Sequence, residues 1–199
     1  MQNIQRLSVG PPPIPRSDLR DYLGQHVGYE FSMLQSSAAS LISLNKDRLT
    51  EYGKAVHGKE IDRDEYAGIV SSMFLESFVL HLRNIIDFFY FEREDPKRRP
   101  KKGDIMAEHF YVGMMRPNGF PPISDTLKNA RRRADKELAH LTAERLPSNS
   151  PHRGWNYVGL LKEIGERLDL FRRFCDPELL DERVANLQYP WQSRVVETP

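Results

Sequence analysis

The run DEYAGIVSSMFLESFVLHLRNIIDFFYFE, residues 64–92, decides the fold. Ile69, Val70, Met73, Phe74, Phe78, Leu82, Ile85, Ile86 and Phe89 fall on nearly every side of a 3.6-residue wheel. The run is far longer than an ordinary strand and shows no alternation of apolar and polar residues, so it predicts a helix. Apolar residues on nearly every side predict a central helix, enclosed by others.

Working outward, Tyr29–Leu44 carries apolar and small residues at helical spacing, with Asn45 as a stop. Lys46–Val56 predicts a short helix closed by Gly58. Asp104 caps a short helix running to about Gly113, and Pro117, Gly119, Pro121 and Pro122 break the chain again. Ser124 is the candidate N-cap of a helix ending before Pro147. From Gly154 to Phe174, Val158, Leu161, Ile164, Leu168 and Phe171 recur every three or four residues. Pro177–Asn186 adds a last turn or two. The prediction is one all-α domain over 17–189, a bundle of four to six helices. It lies between an extended Pro-rich tail, 1–16, and a C-terminal tail, 190–199.

With 199 residues the chain can bury a sizeable core. A net charge of +1 sets no global field, so a polyanionic partner would need a local patch. Cys175 is the lone cysteine, which leaves no internal disulfide and no thiolate zinc cage, and it reads as a packing residue. No leader pattern opens the chain, so the default expectation is a cytoplasmic protein with no membrane partner. The histidines 26, 57, 81, 109, 140 and 152 form no H-x-x-x-H or H-x-x-E-H pattern, and nucleotide-loop and nucleophile-elbow motifs are missing. We therefore expect no metal and no cofactor.

The chemistry concentrates in Arg131-Arg132-Arg133-Ala134-Asp135-Lys136-Glu137-Leu138-Ala139-His140. With Leu127 at zero, Ala130, Ala134, Leu138 and Leu141 form a core stripe between about 300° and 20°. Arg133, Glu137, His140 and Glu144 form a second stripe between about 220° and 280°, beside the core face. Arg131 falls toward the core stripe, near about 40°, and Arg132 away from both, near about 140°. Arg133 and His140 lie about 10.5 Å apart along the axis, so a phosphate could sit between them. The arginine would bind its charge and the histidine would move a proton. Glu137 and Glu144, each four residues after one of the pair, could instead neutralise both as surface ion pairs.

The last two-fifths of the chain resembles the HEPN superfamily, in particular its abortive-infection-like branch. Lys136-Glu137-Leu138-Ala139-His140 is similar to the end of that family's R-N-x-x-x-A-H motif, with Arg133 as the arginine at the longest spacing. Asp135-Lys136 stands where the commonest form has Arg-Asn, and the long helix resembles the earlier core helix of such bundles. The resemblance implies a helical homodimer that binds RNA, or a metal-independent endoribonuclease of a toxin or antiphage system with a protein antitoxin. Arg133 and His140 would then be its catalytic pair. The alternative is a non-catalytic helical dimerisation or interaction domain.

Other groups are candidates for lesser roles. Lys97, Arg98, Arg99, Lys101 and Lys102 form a basic loop able to meet phosphates. On the long helix, Arg83 and Asp87 suit an i,i+4 ion pair, a structural polar seam. Ser77, His81 and Asn84 form a separate polar group, and His81 and Asn84 could line a groove shared with the His140 helix. Trp155 and Tyr157 read as a hydrophobic staple, with base stacking as the alternative.

Overall fold

A computed structural model of the chain describes residues 12–43, 63–90, 103–139 and 154–188. The predicted all-α bundle is what it shows. The helices are α1 (Arg16–Tyr22), α2 (Gly28–Ser43), α3 (Arg63–Tyr90), α4 (Asp125–Ala139), α5 (Tyr157–Phe174) and α6 (Glu182–Ala185). Among the described residues there is no strand, only an isolated antiparallel bridge between Tyr111 and Cys175.

Helix starts earlier than the sequence pattern suggests. α1 continues into α2 through a π-helical turn, Leu23–Val27. Leu19, Leu23, Val27, Phe31, Leu34 and Ala38 make one buried stripe across the whole rod, spaced three or four residues apart. The π-turn carries a close approach from the far end of the chain. A Cβ on Gly24 would overlap the Asp181 carboxylate, and that carboxylate caps α6 by accepting from the Arg183 N–H at 2.8 Å. The bare glycine backbone thus lets the cap of α6 seat on the rod. Arg172 holds the far side of this joint, donating to the Val184 and Leu187 carbonyls at 2.7 and 2.5 Å. At the start of α1, Arg16 pairs with Asp176 at 2.5 Å and holds that carboxyl below the usual carboxylate range.

α3 is central only in its second half. Phe78, Val79, Leu82, Ile85, Ile86, Phe88, Phe89 and Tyr90 are buried, but Ile69 is 51% and Met73 65% exposed. By length and composition alone, Ala67–Tyr90 could cross a membrane, yet its C-terminal half is the centre of the bundle. There Phe88 and Phe89 meet Phe171 edge-on or tilted at 5.5 and 6.0 Å, with Phe110 and Phe120 alongside. Such offset ring pairs add about 0.5–1.5 kcal/mol each beyond area burial.

α4 buries Leu127, Ala130 and Ala134 of the expected stripe, while the Leu138 and Leu141 side chains lie outside the described residues, and Ser124 caps the helix by accepting from the Leu127 N–H at 3.1 Å. α5 buries Leu160, Leu161, Ile164, Leu168 and Phe171, capped by Asn156 through the Gly159 N–H. Val158, expected on that stripe, is exposed, because the buried face of Leu160, Leu161, Ile164, Leu168 and Phe171 is centred about 110° around the helix from it. The helix expected from Asp104 is two short 3₁₀ turns, Ala107–Phe110 and Val112–Met114. The helix expected over Lys46–Val56 lies outside the described residues.

Candidate functional site

α4 carries its polar groups on two different sides. Arg131 is buried, 7% exposed, and turns toward α3. Its guanidinium grips Asp87 with two bonds, 2.5 and 3.3 Å, and donates to Asp135 one turn on at 3.1 Å. Arg83 Nε lies 2.9 Å from Asp135, an ion contact without hydrogen-bond alignment, and 4.0 Å from Asp87. Two arginines and two aspartates therefore alternate across the α3–α4 joint. The seam foreseen as Arg83–Asp87 is real, but that pairing is its longest contact. Bidentate arginine is the stronger geometry, and it comes from α4.

Asp135 gains a structural role from this network. It is matched here by Arg131 and Arg83. Its side of α4 lies about 160° around the helix from Arg133. Its charge is thus spent in the joint and is not presented to a ligand beside Arg133.

Arg133 occupies the other side. Its guanidinium carbon sits 4.2 Å above the Trp155 ring, and Trp155 in turn packs edge-on against Phe78 at 6.1 Å. Trp155 is buried and Tyr157 also meets Phe78 edge-on, so this pair anchors the start of α5 to α3. Trp155 is accordingly a packing residue that also orients a cation. Arg132 and Lys136 are exposed along the same helix. Glu137 belongs to α4, but its side chain, together with His140 and Glu144, lies outside the described residues. So do Lys97, Arg98, Arg99, Lys101 and Lys102.

His81 and Asn84 do not line a groove with α4. His81 Nδ1 lies 2.7 Å from the Glu30 carboxylate on α2, and Asn84 donates to the same oxygen at 3.1 Å. Tyr29 closes over the His81 ring edge-on, and Ser77 receives a bond from Ser37. The physical reason is the register of α3. The face carrying Ser77, His81 and Asn84 meets α2, while the face about 100° away, carrying Arg83 and Asp87, meets α4. These polar residues satisfy each other inside a helix pair, which removes them from the candidate site.

One further polar centre was not foreseen. Arg116, in the Pro- and Gly-rich break, donates to the Phe89 carbonyl near the C-terminal end of α3 and pairs with Glu108 at 2.7 Å. It also lies over the Tyr90 and Phe120 rings at 5.1 and 5.0 Å. Tyr90 receives a bond from Arg167 of α5 at 2.8 Å. No sequence motif marks Arg116, because its partners are distant in the chain. Cys175 is buried, and burial pushes its thiol up to about 12, so it stays a neutral packing group at physiological pH.

No family model, curated protein or solved structure matches the chain.

Proposed function

We propose that this is an RNA-binding helical domain of HEPN type, with the Arg133 side of α4 as its phosphate-contacting edge and His140 as the proton-transfer group of a metal-independent RNA cleavage. The observation that carries the reading is the Arg133 guanidinium seated over Trp155. A guanidinium stacked by its face keeps its orientation whichever acceptor its in-plane N–H groups meet, so a phosphate oxygen can take that place. Exposed Arg132 and Lys136 add positive charge nearby. Single-stranded RNA fits an edge of scattered cations better than a duplex groove-reader would. A cytoplasmic setting and a protein antitoxin are consistent with this reading.

The test is RNA binding as a function of salt. Arg133→Gln keeps a side chain over Trp155 but removes the charge. Wild type should bind single-stranded RNA with a steep salt dependence, and the variant should lose about 0.7 from the slope of log K against log salt, one phosphate contact's worth. Equal slopes would remove Arg133 from the interface, and no binding by wild type would end the proposal.

A second reading is favoured by a different observation. Ile69, Met73 and Leu80 lie on one side of α3 and are all exposed. Apolar side chains aligned on one helix face suit a helix–helix contact with a second copy. Under that reading, Met73→Glu should shift sedimentation from dimer to monomer without changing helical content. An unchanged oligomeric state in the variant would contradict it.

A further inference from the structure

The cations of α4 stand in three different settings. Arg131 is turned inward and held by Asp87 and Asp135. Arg133 lies over Trp155. Lys128, Arg132 and Lys136 make a third group on the outer side, with Arg132 and Lys136 exposed and Lys128 half-buried. The acids of the described α4 side chains are placed elsewhere. Asp135 is engaged in the joint with Arg83, and Asp125 stands in the first turn, where the helix dipole favours an acid. The outer side therefore carries a positive excess along the helix.

The order of these three cations is regular. They follow one another at i,i+4, the spacing of neighbours on a helix surface. Their directions around the axis are about 100°, 140° and 180°, and each step rises about 6 Å. The row winds toward the side of Arg133, near about 240°, and Lys136 is the i,i+3 neighbour of Arg133. The next i,i+4 position in the sequence is His140. A step of about 6 Å is close to the phosphate spacing of an extended single strand. A cationic path that follows the backbone is the electrostatic half of a single-strand site.

We infer, on the basis of the RNA-binding reading above, that Lys128, Arg132 and Lys136 form a phosphate track that leads a single strand along α4 to Arg133. Each cation takes one phosphate. Three contacts on the track and one at Arg133 need four consecutive phosphates, a strand of about five nucleotides. A shorter strand leaves part of the track empty. Contacts to phosphate position a strand without reading its bases, so the track sets strand length and path and not sequence.

The experiment measures binding of the full chain to labelled 2′-O-methyl oligouridylates of two to eight nucleotides over a range of salt. The methyl group blocks cleavage through the 2′-oxygen. The slope of log K against log salt should steepen with length up to about five nucleotides and then level near about 2.8, four contacts at about 0.7 each. With the eight-nucleotide strand, Lys128→Gln, Arg132→Gln and Lys136→Gln should each lose about 0.7 from the slope, and the triple variant about 2.1, at unchanged helical content. Arg132→Lys should keep the wild-type slope. So should Arg20→Gln, which removes the same charge from the exposed side of α1. The track is disproved, with RNA binding itself left standing, if wild type binds and the triple variant keeps its slope. It is equally disproved if Arg20→Gln loses as much as Arg132→Gln, or if the slope does not change with length. Failure of wild type to bind any strand would overturn both the track and the RNA-binding reading.

Discussion

Arg131→Met should lower the stability of the chain by about 3–5 kcal/mol, measured as a shifted urea midpoint with an unchanged slope. The size follows from what the substitution leaves behind. Asp87, on the inner face of α3, would lose its bidentate partner and keep only Arg83 at 4.0 Å. Removing one partner of a buried pair strands the other charge, and that penalty exceeds the net worth of the pair itself. The second substitution sharpens the test. Asp87→Leu in the Arg131→Met background removes the stranded charge while Arg83 and Asp135 remain paired at 2.9 Å, so much of the lost stability should return. Arg132→Met, one residue away on the exposed side, should stay within about 0.5 kcal/mol of wild type. Equal costs for Arg131 and Arg132 would mean that the four-charge network does not hold α3 to α4.

His140→Ala should slow RNA cleavage by about 10²–10⁴-fold while leaving RNA binding and the fold in place. The chemistry proposed is transesterification within the RNA. The 2′-oxygen loses its proton and attacks phosphorus, the bond from phosphorus to the 5′-oxygen breaks, and that oxygen leaves with a proton. The products are a 2′,3′-cyclic phosphate and a 5′-hydroxyl. A neutral imidazole can take the first proton, or an imidazolium can supply the second. Arg133, seven residues earlier in the sequence, would hold the phosphate and stabilise charge that grows on its oxygens. Arg133→Gln should therefore impair both binding and cleavage, whereas His140→Ala should impair cleavage alone. That contrast separates the two roles.

The elements legible in the sequence were those whose partners are close along the chain. The stripe of Leu127, Ala130 and Ala134, the Ser124 cap and the buried series from Leu161 to Phe171 are all periodic or adjacent signals. The rod from Arg16 to Ser43 was legible in principle, since Leu19, Leu23 and Val27 follow at i,i+4. The Pro-rich tail before it and Gly24 within it masked the pattern, and the reason for Gly24 lies in Asp181, far along the chain. The over-reading of α3 has a different cause. Apolar residues on all sides say that a helix can be covered, not which part its neighbours reach.

Polar partnerships were harder to read for the same reason. Spacing found Arg83–Asp87, yet the tight partner of Asp87 is Arg131, 44 residues on. His81 and Asn84 answer to Glu30 on α2, 51 and 54 residues back. The wheel placed Arg131 toward the core and Arg133 on another side, and both hold in the structure. What sits over Arg133, the Trp155 ring, depends on how α5 returns to the bundle, which no local pattern encodes.

The most direct test of the central claim is a cleavage assay on end-labelled single-stranded RNA in EDTA, with purified wild type and His140→Ala of equal helical content. The account predicts fragments ending in 2′,3′-cyclic phosphate with wild type and nearly intact RNA with the variant. Intact RNA with both proteins, or equal cleavage by both, would contradict it.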